Sequence, residues 1–125
     1  STVSKMGRVS SRVVLMKELR KDGIVFYTNY KSRKGSDILE TPRVSLLFFW
    51  ASLHRQVRIE GRALKLSSAE SDRYFASRPL DAQLGAIASK QSQLLSSREM
   101  FDLTLKKLKA SLSTPPKRPD YWGGY

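Results

Sequence analysis

RVSLLFFW at residues 43–50 and RQVRIEGRALKL at residues 55–66 are the most strongly patterned runs of this 125-residue sequence. The first run is apolar at both odd and even positions, which is typical of a strand covered on both faces. The second run alternates Val57 and Ile59 with charged residues, which is typical of a strand with one face in solvent. The two runs therefore predict two strands of a sheet.

A third and a fourth strand are predicted upstream of this pair. Alternation and β-branched residues between Arg8 and Leu19 predict one strand. Asp22-Gly23 supplies the positive φ angles of a tight hairpin turn, so this strand should pair with Ile24–Thr28. A polar, basic loop is expected at Asn29–Lys34, and a helix of one or two turns should follow it and end at Pro42.

Three helices are predicted downstream. Ser67 and Glu70 have the capping-box spacing for a helix that ends near Ser77, and a second short helix covers residues 81–88. The third helix begins at Ser96, where the capping spacing recurs. Its apolar stripe at helical spacing consists of Phe101, Leu105, Leu108 and Leu112. This order of elements favours a mainly β fold with helices (α+β), an antiparallel barrel or curled sheet with helices at one side.

Composition restricts the chemistry. Lys and Arg number 23 against 11 Asp and Glu, a net charge of +12, which indicates an anionic partner such as a phosphate, nucleic acid or lipid headgroup. There is no cysteine and a single histidine, His54, so a metal site is not expected. No apolar run has the length of a membrane span, and the first residues lack the apolar region of a secretory signal. A cytoplasmic or organelle-matrix location without membrane contact is expected.

A phosphate site is the first functional hypothesis from the residues alone. If the hairpin brings the basic loop beside the first strand, four cations converge at one end of the barrel: Arg12, Lys17, Arg33 and Lys34. Arg matches phosphate oxygens with a planar fork, and the Thr28 and Ser32 hydroxyls would complete the shell. The alternative is a solvated basic face, which is the commoner role of Lys and Arg.

Other polar residues carry weaker signals. Gln56 and Gln91-Ser92 would suit a planar heteroaromatic ligand, although buried Gln is more often satisfied by the backbone. Tyr74 and Arg78 lie four apart on a predicted helix and would suit a phosphorylated ring, while their spacing alone favours ordinary packing. Neither a catalytic triad nor paired carboxylates are present. We therefore predict no catalytic side chain, and any enzymatic chemistry would belong to a cofactor.

Nine short blocks span nearly the whole chain: RVVLMK at 12–17, FYTN at 26–29, SRK at 32–34, FW at 49–50, RQVRIEG at 55–61, YFASRP at 74–79, QLGA at 83–86, SKQS at 89–92 and WGG at 122–124. No single block is specific. In this order and at this spacing the sequence resembles the pyridoxamine 5′-phosphate oxidase family.

The resemblance implies an FMN-binding split β-barrel and a homodimer with FMN at the subunit interface. It implies oxidation of pyridoxamine 5′-phosphate and pyridoxine 5′-phosphate to pyridoxal 5′-phosphate, a step of vitamin B6 metabolism. Hydride would pass to flavin N5, and molecular oxygen would reoxidise the flavin and leave as hydrogen peroxide. The phosphates of FMN and substrate would account for much of the positive charge without nucleic acid.

The resemblance also implies site residues. Lys17, Tyr74 and Arg78 match the substrate-phosphate site. The matches to the FMN-binding segments are Arg12, Val13, Val14, Leu15, Met16, Lys17, Tyr27, Thr28, Arg33, Lys34, Gln56, Gln91 and Ser92.

The sequence departs from the family pattern in two places. Ala82 stands where the family usually has a Ser of the phosphate clamp, and Leu80 stands where a basic residue is usual. Family members also continue past Trp-Gly-Gly with further FMN and substrate residues. Residues 1–114 are thus expected to form the FMN-binding domain. Residues 115–125 are expected to be an extended Pro-rich segment leading into a C-terminal part that is absent here, in either an incomplete or a genuinely short member.

Two further hypotheses stay open beside the oxidase. A protein of the same fold that binds FMN or pyridoxal phosphate with little or no oxidase activity would fit the two departures and the missing C-terminal part. A nucleic-acid binder would use the basic residues of the last predicted helix, but no aromatic-studded nucleic-acid motif accompanies them.

Overall fold

A computed structural model describes all 125 residues. The chain forms eight strands and four helices, with a 3₁₀ turn at Ala51–Leu53. In chain order the elements are β1 (Thr2–Val3), β2 (Val9–Ser10), β3 (Glu18–Arg20), β4 (Gly23–Val25), β5 (Tyr27–Asn29), α1 (Arg33–Glu40), β6 (Arg43–Trp50), β7 (Arg55–Arg62), α2 (Ser68–Ser77), α3 (Leu80–Ala88), α4 (Arg98–Ala110) and β8 (Trp122–Gly124).

All strand pairs are antiparallel. The main sheet has the order β2-β1-β6-β7, and β6 and β7 pair along their whole length, from Arg43 opposite Arg62 to Trp50 opposite Arg55. Two separate ribbons are formed by β3 with β4 and by β5 with β8. The predicted α+β class with antiparallel strands and flanking helices is confirmed, as is the strand at residues 43–50.

The predicted strand from Arg8 to Leu19 is wrong over most of its length. Only β2 and β3 are strands, and no strand pairs with residues 11–17. The alternation there does not reflect a buried face, because Val13 is 93% exposed. The hairpin is confirmed only for β3 and β4: the predicted strand Ile24–Thr28 is interrupted at Phe26, and its second half, β5, pairs with β8 instead. Gly23 already belongs to β4 opposite Arg20, and neither it nor Asp22 has a positive φ.

All four predicted helices are confirmed: α2 starts as predicted, α3 starts one residue earlier than predicted, at Leu80, and α1 and α4 start at other residues than predicted. Helix α1 begins at Arg33, inside the predicted loop, because the Ser32 hydroxyl accepts a hydrogen bond from the Gly35 N–H. Helix α2 has the predicted capping box at Ser67 and Glu70. Helix α4 is capped by Ser97, whose hydroxyl accepts from the Met100 N–H, so the predicted cap at Ser96 is wrong by one residue.

Strand β6 is not covered on both faces within this chain, contrary to prediction. Leu47 and Phe49 are 63% and 69% exposed, while Val44, Leu46 and Phe48 are half-buried. Nothing in the chain packs over the first pair, so an apolar strip of the main sheet faces outward. Strand β7 ends at Arg62 rather than at the predicted Leu66.

The end of the chain completes the interior. Strand β8 pairs Trp122 with Asn29 and Gly124 with Tyr27, and Trp122 and Tyr125 are each 6% exposed. Phe26, Ile38 and Tyr125 form a buried cluster. A side chain at Gly123 would overlap the Tyr30 hydroxyl, so this close approach needs glycine. None of the helices combines the length and apolar character needed to cross a membrane.

Candidate functional site

A cavity of about 460 Å³ lies between β1, residues 12–16, α1 and β6. Its walls are mainly apolar, with side chains from the hairpin and from β6. Four residues with polar groups line it: Ser1, Thr2, Arg12 and Lys34. A cavity with apolar walls and a few cationic groups suits a ligand that is apolar over most of its length and anionic at one end.

Lys34 is the buried cation of this cavity, with 7% of its surface exposed. Helix α1 directs its ammonium group toward β5 and the segment after α3. Its Nζ donates to the Thr28 hydroxyl and to Gln91 Oε1, each at 3.0 Å, and to the Ser32 hydroxyl at 3.3 Å. All three acceptors are neutral, so the charge has no counter-ion among them.

Arg12 is the second cation of the cavity. Its Nη1 donates to the Thr2 hydroxyl and its Nη2 to the Ser10 hydroxyl, each at 2.7 Å. Asp37 Oδ2 lies 4.0 Å from Nη2, at the edge of ion-pair distance. Two hydroxyl groups, one from β1 and one from β2, therefore fix the position of the guanidinium.

The electrostatics of the cavity favour an anion. Burial lowers the pKa of Lys34 below its ordinary value of 10.5, and the positive charge of Arg12 lowers it further. Lys34 forms no ion pair anywhere in the chain. A phosphate bound between Lys34 and Arg12 would supply the missing counter-ion and offset the repulsion between the two positive charges.

A second group of polar and aromatic residues surrounds Trp122. Tyr27 stacks on Tyr74 at a centroid distance of 3.7 Å and on Trp122 at 5.5 Å. The Arg78 guanidinium lies 4.6 Å from the Trp122 ring centroid. Its Nη1 is buried without a hydrogen-bond partner, and burial lowers the pKa of Arg78. An unpaired buried N–H of this kind is available to an acceptor such as a bound anion or a water molecule.

The structure brings most of the predicted site residues into these two places. The cavity lining includes Arg12, Val13, Val14, Met16 and Lys34. Thr28 and Gln91 join Lys34 through hydrogen bonds, as described above. Tyr27, Tyr74 and Arg78 share the cluster around Trp122.

Five predicted residues lie outside both places: Leu15, Lys17, Arg33, Gln56 and Ser92. All five are exposed. The prediction that four cations converge is therefore wrong for two of them: Arg12 and Lys34 line the cavity, whereas Lys17 and Arg33 are exposed and do not line it. Lys17 contributes its backbone N–H to the carbonyl of Val25, and Ser92 has a left-handed φ of 66°.

Three residues of the two sites were not singled out from the sequence. The Thr2 hydroxyl accepts a hydrogen bond from Arg12 and donates one to Asp37, and the Arg78 guanidinium lies over the Trp122 ring. Asp37 lies three residues after Lys34, so helical spacing offered a signal for it. Thr2 offered none, because its contacts depend on pairing between distant segments.

Antiparallel sheets with flanking helices, around an apolar cavity that carries two cations, define a split-barrel protein with a site suited to an anionic ligand. The family model described as pyridoxamine 5′-phosphate oxidase matches residues 1–111. The chain belongs to the pyridoxamine 5′-phosphate oxidase family, which confirms the resemblance seen in the nine blocks.

Curated relatives agree over the whole chain. It is 50% identical over 125 residues to the pyridoxine/pyridoxamine 5′-phosphate oxidases of Paraburkholderia phytofirmans PsJN and Burkholderia thailandensis E264. The alignment covers all of this chain, but only 59% and 58% of those two proteins.

Solved structures share the fold. PhzG from Burkholderia lata 383, in complex with tetrahydrophenazine-1-carboxylic acid, is 32% identical with a TM-score of 0.91, covering 99% of this chain and 61% of PhzG. A pyridoxamine 5′-phosphate oxidase-related, FMN-binding protein from Nostoc punctiforme PCC 73102 is 16% identical with a TM-score of 0.75, covering 98% of this chain and 66% of its own. The second likeness bears on the fold alone.

Proposed function

We propose that the protein binds FMN and oxidises pyridoxamine 5′-phosphate and pyridoxine 5′-phosphate to pyridoxal 5′-phosphate. The observation that carries the proposal is the pair of cations, Lys34 and Arg12, in a cavity whose other walls are apolar. FMN suits such a cavity, because a hydroxylated chain joins a phosphate of nearly two negative charges to a flat aromatic ring whose faces are apolar. Membership of the family supports the same ligand.

The residues present fit this cofactor. Arg12 would donate hydrogen bonds to the phosphate, and Lys34 would donate to it in place of its longest bond, the one to Ser32, while Thr28 and Gln91 keep the ammonium group in position. Val13, Val14 and Met16 would face the rest of the ligand. Half-buried Tyr27 and the exposed residues complete the proposed FMN set, and the exposure of the latter suits contacts made across a subunit interface: Leu15, Lys17, Arg33, Gln56 and Ser92.

A homodimer is part of the proposal. Leu47 and Phe49 border the cavity and are more than half exposed, so the cavity is open on the side where the main sheet is uncovered. A second copy of the chain on this apolar strip would close the cavity and exclude water from it. Phe49→Asp should therefore yield monomers by light scattering and weaken FMN binding, whereas Leu103→Asp, at an exposed position of α4 away from every proposed site residue, should do neither.

The chain's own contribution to the reaction is binding and orientation. Bound FMN would supply the hydride acceptor, with molecular oxygen as the final oxidant. Arg78 would hold the substrate phosphate through its unpaired Nη1, with Tyr74 four residues earlier on the same helix. Lys17 lies outside this cluster and would reach the substrate phosphate from the partner subunit. Holding the phosphate fixes one end of the substrate and so the distance of its reacting carbon from the flavin.

A titration tests the cofactor assignment. The purified chain is titrated with FMN while quenching of flavin fluorescence is followed, with Arg33→Ala plus Lys34→Ala as the test variant. Lys106→Ala plus Lys107→Ala is the matched control, because it removes the same charge from the exposed face of α4. Saturable binding lost only in the test variant supports the proposal. Absence of saturable binding by the wild type, or equal loss in both variants, would reject it.

Oxygen uptake tests the reaction. FMN-loaded protein is supplied with pyridoxamine 5′-phosphate and, separately, with pyridoxamine, which lacks the phosphate. Uptake that requires the phosphate and falls in Arg78→Ala supports the oxidase. Tight FMN binding without uptake would instead indicate a binding protein of the same fold.

A second candidate substrate is a reduced tricyclic carboxylic acid. It is favoured by the likeness to PhzG, whose structure holds tetrahydrophenazine-1-carboxylic acid. Leu80 and Ala82 lie at the start of α3, just beyond Arg78, and neither side chain can hydrogen-bond a phosphate. Oxygen uptake with a reduced phenazine carboxylic acid, but not with pyridoxamine 5′-phosphate, would select this candidate.

A cytoplasmic location and the absence of a nucleic-acid partner stay predictions.

A further inference from the structure

A chain of hydrogen bonds behind Arg12 ends on a buried carboxylate. Arg12 Nη1 donates to the Thr2 hydroxyl at 2.7 Å, and that hydroxyl donates to Asp37 Oδ2 at 2.6 Å. Thr2 and Asp37 are 6% and 5% exposed. The three residues come from β1, the segment after β2, and α1, so the chain joins elements that are distant in sequence.

The direction of these bonds is dictated by chemistry. A guanidinium only donates and a carboxylate only accepts, whereas a hydroxyl has one proton and can do both. Because the Thr2 proton is committed to Asp37, its lone pairs are turned toward Arg12. Ser10 accepts from the other terminal nitrogen of Arg12, so the guanidinium plane is held at two points. Only two of its five N–H groups are used, and the others remain for a ligand.

We infer that Thr2 and Asp37 are positioning residues that hold the Arg12 guanidinium in place for the phosphate of the ligand. The inference rests on the proposed function. Helix α1 would then set both cations of the cavity: Lys34 directly, and Arg12 through Asp37, which lies three residues further along the same helix. Asp37 also lies 4.0 Å from Arg12, which offsets part of the repulsion between the two cations.

A comparison of FMN with riboflavin distinguishes a role of Thr2 and Asp37 in positioning Arg12 from a role in overall stability. Thr2→Val keeps the shape and removes the hydroxyl, Thr2→Ser restores the hydroxyl, and Ser36→Ala is a control at an exposed site of α1. Each protein is titrated with FMN and with riboflavin, which has the same ring without the phosphate. We expect Thr2→Val and Asp37→Ala, which remove the hydroxyl and its acceptor respectively, to lose about tenfold in FMN affinity with riboflavin unchanged, and Thr2→Ser to recover most of the loss. Equal losses for both ligands, or no loss for FMN, would overturn the inference.

A second measurement decides the inference without a ligand. In ¹⁵N NMR spectra a fixed guanidinium shows separate Nη signals, because rotation about its Nε–Cζ bond is slow, whereas a free one shows averaged signals. Signals assigned by their loss in Arg12→Lys should be separate in wild type and Thr2→Ser, and averaged in Thr2→Val. Averaged signals in the wild type would overturn the inference. If the wild type failed to bind FMN, the proposed function would fall while these spectra still decided the positioning role.

Discussion

Lys34 donates a hydrogen bond to the Thr28 hydroxyl at 3.0 Å, and the same hydroxyl donates to Gln91 Oε1 at 3.0 Å. A charge on α1 is thereby tied to β5 and to the segment after α3. Because β5 pairs with β8, the position of Thr28 also depends on the last residues of the chain. The proposed phosphate site is thus held by elements from both ends of the sequence.

Removing the positive charge of Lys34 should weaken FMN binding and stabilise the ligand-free protein. Lys34→Met retains the length of the side chain and leaves Thr28 bonded to Gln91. Replacing a buried group that has no counter-ion by an apolar one should raise the free energy of unfolding of the ligand-free protein by about 1 kcal/mol. Loss of a charged hydrogen bond to phosphate should weaken FMN binding about tenfold or more. Urea denaturation and flavin titration measure the two effects, with Lys106→Met as control, and a clear loss of stability would contradict the prediction.

The pH dependence of stability should carry the signature of Lys34. Burial, then the charge of Arg12, lower its pKa in the folded state below the ordinary 10.5. Between the lowered pKa and 10.5 the unfolded chain therefore binds more protons, so stability rises with pH across this window. Burial raises the pKa of Tyr125 to about 12, and that group acts in the opposite sense above pH 10. The difference in unfolding free energy between wild type and Lys34→Met isolates the lysine, and should move in favour of the wild type as pH rises. A flat difference would show that Lys34 keeps its ordinary pKa.

Trp122 should be a main contributor to stability. It is 6% exposed and contacts the rings of Tyr27, Tyr74 and Phe75 as well as the Arg78 guanidinium. Trp122→Ala should lower the free energy of unfolding by about 3–5 kcal/mol. Leu94→Ala, at a fully exposed site, should change it by less than about 0.5 kcal/mol. Chemical denaturation followed by circular dichroism compares them, and similar values for the two would refute the packing described here.

The cap of α4 offers a test within two adjacent residues. The Ser97 hydroxyl accepts from the Met100 N–H at 3.1 Å, and Ser96 makes no such bond. Ser97→Ala should cost about 1 kcal/mol of stability, while Ser96→Ala should be close to neutral. Thermal denaturation of the two single variants measures both, and the reverse order would place the helix start one residue earlier.

Much of the secondary structure was predictable because it depends on residues that are close together in the sequence. The apolar run at 43–50, the alternation at 55–62 and the capping box of α2 each involve residues a few positions apart, so they can be identified in the sequence. Errors arose where alternation was present without a partner strand, as between Arg8 and Leu19. The nine family blocks identified the family for a related reason, since order and spacing are properties of the sequence itself.

The sequence by itself determined the class of fold, the existence of strands β6 and β7, the family, and the residue types of an anion site. Only the tertiary structure decided which cations share the cavity: Arg12 and Lys34 line it, and Lys17 and Arg33 do not. The tertiary structure also decided that Thr2 forms a hydrogen bond with Asp37, 35 residues away in the sequence, and that β8 pairs with β5. Such contacts depend on the path of the whole chain and on which faces become buried together, and no local pattern of residues encodes either.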